Sequence, residues 1–125
     1  DQEGAINANN DAVKLDPLFC SAHISLAAIY RKIDQQNNFE GEIHKIKKLI
    51  SNEREYNKAC FEAIIGNVDE ALKHLGIAIN NGDEHMEWIC RDPDLEFIRA
   101  IPQFKALITD LSTSRKIIIN ETANS

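Results

Sequence analysis

Residues that interrupt helices are scarce in this chain: three prolines and five glycines among 125 residues. Such a composition argues against a loop-rich or all-β architecture, in which turn residues recur every few positions. Long apolar runs are also missing. The longest, such as Ile117-Ile118-Ile119, cover a few residues, far below the ~20 that span a bilayer, and no membrane segment is expected. Cysteine is limited to Cys20, Cys60 and Cys90. An odd number without a C-x-x-C pair argues against a disulfide framework and against a thiolate zinc site, and points to a reducing, cytoplasmic setting.

Net positive charge is lacking as well. The formal charge is −6 with a pI near 5.1, so the overall field repels phosphate backbones and anionic headgroups, and neither nucleic acid nor a membrane surface is an expected partner. The one basic cluster, His44, Lys45, Lys47 and Lys48, is interleaved with Ile43, Ile46, Leu49 and Ile50. That spacing describes the solvated face of an amphipathic helix. Asp1 is not preceded by a methionine or a signal-like apolar stretch, which reads as a segment of a longer protein.

What is present is apolar periodicity of three to four residues, with no sustained alternation of period two. Helices are predicted over 3–15, 18–33, 39–50, 53–65, 68–80, 84–90, 94–100 and 102–116. Their breaks fall at Asp16-Pro17, 34–38, Ser51-Asn52, Gly66-Asn67, Asn80-Asn81-Gly82, Asp92-Pro93 and Pro102, residue types that stop or start helices for known steric reasons. Between the longer helices the connections are short. A loop of two to five residues cannot reach the far end of the next helix, so consecutive helices should lie antiparallel. The expected class is all-α, a stack of helix hairpins.

Small and large side chains recur at matched offsets along these helices. Ala5, Ala12 and Pro17 are followed by Leu26, Ala27 and Tyr30, then by Phe39, Ile43 and Ile46. The clearest stretch is Tyr56-Asn57-Lys58-Ala59-Cys60, Gly66-Asn67, Asp69-Glu70-Ala71-Leu72, Leu75 and Ala78, succeeded by Glu87-Trp88-Ile89, Asp92-Pro93-Asp94-Leu95 and Pro102-Gln103-Phe104-Lys105-Ala106-Leu107. Over residues 5–111 this pattern resembles tetratricopeptide repeats, whose units run about 34 residues, including the segment that closes many bacterial and archaeal arrays. The resemblance implies an antiparallel helix-hairpin solenoid of about two and a half repeats in one domain over 1–118. Residues 1–17 form a partial repeat, 18–51 a degenerate one, 52–82 the best one and 83–118 the capping helices, with a tail at 119–125. Four residues depart from the pattern: Lys58 and Glu62 stand at usually apolar positions, Gln103 stands where the terminal motif often has arginine, and His23 stands where a large apolar or aromatic residue is common.

The resemblance also implies a function. First helices of stacked hairpins line a concave groove that holds a partner segment, here Ser21, Ile24, Ser25, Ala28, Arg31 and Lys32 of one helix and Tyr56, Asn57, Cys60 and Ile64 of another. The expected partner is a protein or peptide. The alternative is a self-associating arm or spacer on an upstream effector domain, with a homodimer through the uncapped N-terminal edge that bears Ala5, Ile6 and Val13. No enzymatic activity, metal or cofactor is expected. His23, His44, His74 and His85 never fall at metal-pair spacing, and Cys60 lies on an alanine-rich apolar face that keeps a thiol protonated. Asp92-Pro93-Asp94 has a sufficient explanation as a helix start. The glycines form no phosphate loop, and Asn120-Glu121-Thr122, a glycosylation triplet, is incidental in a reducing compartment.

Overall fold

Each turn in this chain is written by a residue with a particular backbone habit, and the helices fill the intervals. In the computed structural model, which describes residues 1–111, the Asp1 carboxylate accepts from the Gly4 amide at 2.5 Å to cap α1 (Gln2–Leu15). The chain leaves α1 at Asp16, extended as expected before Pro17. Helix α2 (Cys20–Lys32) follows, then α3 (Gln36–Leu49), a 3₁₀ turn at Ile50–Asn52, α4 (Glu55–Ile64) and α5 (Val68–Asn81). Two short helices, α6 (Met86–Ile89) and α7 (Glu96–Arg99), flank a 3₁₀ turn at Pro93–Leu95. A last helix, α8, occupies 102–111. The described residues are all helix and turn, with no strand among them. No described helix is long and apolar enough to cross a membrane. The expected continuation of the last helix to 116, the end of the domain at 118 and the tail at 119–125 lie outside the described residues.

Helix α3 starts three residues before the expected Phe39, because the polar run opens the helix instead of forming a loop. Asp34 takes a left-handed backbone, φ 59, and ends α2 alone, so Gln36-Asn37-Asn38 can supply the first turn of α3. The same device recurs 32 residues later at Gly66, φ 85. Both turns carry the same hydrogen bonds: Gln35 N donates to Tyr30 O and Asn67 N to Glu62 O, each at 2.9 Å, the six-to-one closure of a Schellman cap. Gly82, φ 72, ends α5 in like manner, with Asp83 N donating to Ala78 O at 2.9 Å.

The equivalence extends from the turns to the helices around them. Helices α2 and α3 form one hairpin, α4 and α5 another, and α2 packs on α4. Ala27 matches Ala59, Ala28 matches Cys60, and Ile46 matches Ala78, each 32 residues on. All six are buried to 2% exposure or less. Small side chains here let helix axes approach closely. Leu75, Ile79, Ile24 and Ile64 fill the spaces that remain.

Each hairpin is also clasped by one histidine and one glutamate, with their positions exchanged. In the first, His23 on α2 lies 2.6 Å from Glu42 on α3; in the second, Glu55 on α4 lies 2.5 Å from His74 on α5. The two pairs span the same 19 residues of chain. His23 Nε2 meets Pro17 O at 2.8 Å, so both ring nitrogens have an oxygen partner and the buried ring is satisfied on both sides. This explains a histidine at a position where the repeat pattern favours an apolar group.

Candidate functional site

Two clefts meet at the turn Asp92-Pro93-Asp94, and α2 forms a wall of both. The larger, about 410 Å³, lies between α1, α2 and that turn, with Ala5, Asn9, Ser25, Ala28, Ile29 and Lys32 among its walls and Trp88 at its edge. The smaller, about 170 Å³, lies between α2 and α4 and is lined by Ser21, Ile24, Ser25, Tyr56, Asn57 and Cys60, with Arg54, Glu84, Trp88, Asp92 and Asp94 around it. Ser25, Trp88, Asp92 and Asp94 border both.

Helices α2 and α4 hold the turn through polar side chains that the helical period places on one face. Tyr56 donates its hydroxyl to Asp92, which also accepts from the Asp94 amide at 2.9 Å. The Ser25 hydroxyl donates to Asp94 at 3.3 Å. Lys32 reaches Pro93 O at 3.3 Å and Glu96 at 2.5 Å, and its proximity holds the Glu96 carboxyl below the usual range. Arg31 closes the end of α4 by donating to Ile64 O at 2.5 Å, and stacks its guanidinium 4.0 Å from the Phe97 ring centre, a cation–π contact. Across this surface the chain therefore lays its own segment 92–97.

The residues expected to line a groove divide accordingly. Ser21, Ile24, Ser25, Tyr56, Asn57 and Cys60 come together around the smaller cleft, and Ala28 and Lys32 join Ser25 on the larger. Ile64 is 1% exposed and belongs to the core, as do Ile24, Ala28, Tyr56 and Cys60, none more than 3% exposed, which only border the clefts from beneath; Ser21, Ser25 and Lys32 are the expected groove residues that present partly open surface there. Arg31 is exposed but committed to α4 and Phe97. Trp88, Asp92 and Asp94, which lie within the expected capping segment 83–118, line both clefts, and Pro93 lines the larger. The covering of α5 falls to α8, whose Leu107 side chain comes within 3.7 Å of where a Cβ on Gly76 would stand. The signal for the clefts was present in Asp-Pro-Asp, but which helices it would meet depends on how the chain returns after Gly82.

Burial decides the chemistry of the titratable groups. It pushes the Cys60 thiol well above its usual range, with Asp94 and Asp92 adding to the effect. Burial likewise raises the Tyr56 phenol and moves Cys20 up to about 12. All three are neutral at physiological pH, and neither thiol is a ready nucleophile. Asp94 is raised from 3.8 to about 7, first by burial and then by Asp92. Cys60, Asp92 and Asp94 place three ligand-type atoms within 4.8 Å of one another, so they are the described residues nearest to a metal-binding set. The protonated thiol makes it a poor one.

No family model matches the sequence, and no solved structure matches the chain.

Proposed function

We propose that this chain is a tetratricopeptide-like helix-hairpin module that binds an extended segment of a protein or peptide along the face of α2 and α4, and that it is not an enzyme. The observation that carries the reading is the placement of 92–97. Hydroxyl, ammonium and guanidinium groups projecting from α2 and α4 already hold the 3₁₀ turn at Pro93–Leu95 and the start of α7, with a 410 Å³ cleft left open beside them. A surface that holds one segment, three times through its side chains and once through a backbone carbonyl, is chemically suited to a second. The two equivalent hairpins with a 32-residue offset support the repeat reading.

The test is to close the cleft. Ser25 is half-buried and borders both cavities, whereas Ala28 is fully buried, so Ser25→Arg fills the space with less risk to the core than a substitution at Ala28. Peptides selected by the native chain from a random library should bind the variant at least tenfold more weakly, with its circular dichroism unchanged. Undiminished binding by folded Ser25→Arg places recognition elsewhere.

A second reading, self-association, has its own support. Helix α1 has no fully buried residue, and the corner after it exposes Leu15, Leu18 and Phe19 at 90%, 72% and 46%. Three neighbouring apolar side chains in water are the kind of surface that association covers. Mass that rises with concentration, and falls to the monomer value on Leu18→Glu with Phe19→Glu, would favour it.

A further inference from the structure

The acidic turn beside α2 has an uneven complement of charges. Glu84 is paired with Arg54 at 3.3 Å and Glu96 with Lys32 at 2.5 Å. Asp92 and Asp94 receive a phenol, a hydroxyl and a backbone amide, but among the described residues neither stands in an ion pair. Asp92 is 3% exposed. Neighbouring carboxylates, one buried and one half-buried, that share no ion pair are electrostatically unfinished, since each raises the cost of ionising the other.

The larger cleft opens onto this pair, and its shape favours one kind of cation. Its walls include the apolar groups of Ala5, Ala28, Ile29 and Pro93, and Trp88 stands at the edge with 40% of its surface in water. Apolar walls suit an aliphatic stem, a carboxylate at the end suits a positive head, and an indole face adds cation–π attraction. The outer region of that indole already accepts a guanidinium, since Arg91 lies 6.0 Å from the ring centre. A bare divalent ion would use none of the apolar wall, and would have a neutral, buried thiol as its third protein ligand.

We propose that the cleft between α1, α2 and the Asp92-Pro93-Asp94 turn receives a basic side chain, arginine or lysine, from the bound peptide, with its charge against Asp94 and its stem along Ala28 and Ile29. The proposal rests on the peptide-binding reading above and gives it a chemical preference. Lys32 does not compete for the place, because its ammonium is held by Glu96 and Pro93 O.

The experiment uses the full chain and a library of ten-residue peptides, random except for a central position fixed as arginine, lysine, citrulline, leucine or glutamate. Trp88 is the single tryptophan, so its emission reports on the cleft directly. Central arginine and lysine peptides should be retained preferentially and should change Trp88 emission saturably. Exchanging the arginine for citrulline, or making Asp94→Asn in the protein, should each weaken binding about tenfold, and the two changes together should cost little more than one. Retained peptides with no basic preference, or equal affinity for arginine and citrulline forms, would overturn the inference and leave the groove reading standing. A library that yields no ligand takes down both. A saturable response to calcium, manganese or zinc that Asp94→Asn abolishes, with none to basic peptides, would reassign the cleft to an ion.

Discussion

The hairpin α2/α3 and the hairpin α4/α5 are built on the same frame and packed by different means. Their turns carry the same hydrogen bonds, their histidine–glutamate clasps span the same length of chain, and their inner faces share small residues at matching places. The second hairpin achieves its packing with Ala71, Leu75 and Ala78, which are all fully buried. The first has Phe39, Ile43 and Ile46 at those positions, and only Ile46 is fully buried while the other two remain partly in contact with water. Bulk stands where the second hairpin has alanines, and the histidine–glutamate clasp of this hairpin is the more buried of the two. The His23 and Glu42 side chains are 4% and 9% exposed, whereas those of His74 and Glu55 are 18% and 26% exposed. One hairpin relies on apolar fit and the other on a buried polar clasp.

Truncations at equivalent positions are the strongest challenge to this comparison. Leu75→Ala removes a fully buried side chain and should cost ~3–4 kcal/mol, while Ile43→Ala, at the partly exposed counterpart, should cost about half as much. Equal losses in urea denaturation would mean that the two inner faces are packed alike. For the clasps the order reverses. Glu42→Ala leaves His23 buried without its carboxylate and should cost about 2–3 kcal/mol, whereas Glu55→Ala, at a more open pair, should cost under about 1 kcal/mol. If Glu55→Ala proves the more damaging, the assignment of polar and apolar roles is inverted.

Asp94 lies where the returning chain meets both hairpins, and its effect depends on pH. Its carboxyl is raised from 3.8 to about 7, first by burial and then by Asp92, with Ser25 and Lys32 opposing. The folded state therefore retains a proton that the unfolded chain releases. The stability due to this group is full below pH 3.8 and is lost as pH rises through about 7. Asp94→Asn should consequently raise the unfolding temperature at pH 8, by on the order of 1–2 kcal/mol in stability, and the gain should shrink steadily towards pH 4. A pH-independent gain would show that the carboxyl ionises normally in the fold. The smallest effects belong to the turns. Asp34→Gly should stabilise by roughly 0.5 kcal/mol by relieving a left-handed aspartate, and Gly66→Ala should destabilise by about 1 kcal/mol in the matching turn.

Much of this frame was legible in the sequence because it is written in local signals. Asp16-Pro17, Gly66-Asn67 and Gly82 mark breaks by backbone sterics alone, and the apolar period marks the helices between them. Lys58 and Glu62, placed at usually apolar positions of the repeat pattern, need no burial: Lys58 reaches back to Glu55 at 3.6 Å and Glu62 accepts from Asn67 at 3.0 Å. The His23–Glu42 clasp was not legible, since it depends on the register between two helices and not on either helix by itself. The candidate site was legible in half. Helical spacing puts Ser21, Ile24, Ser25 and Tyr56 on facing surfaces, but nothing local says that Asp92 and Asp94 return to meet them. That return is set by partners far away in sequence, Tyr56 and Ser25 through hydrogen bonds and the core that buries Leu95 and Ile98.

The proposed recognition surface is the face of α2 and α4 with the acidic turn laid against it, and it can be read out by following amide and indole resonances while a library-selected peptide is titrated. Perturbations should concentrate at Ser25, Ala28, Lys32, Trp88 and Asp94. Perturbations gathered at Leu15, Leu18 and Phe19, or along the outer faces of α3 and α5, with the cleft residues unmoved, would contradict it.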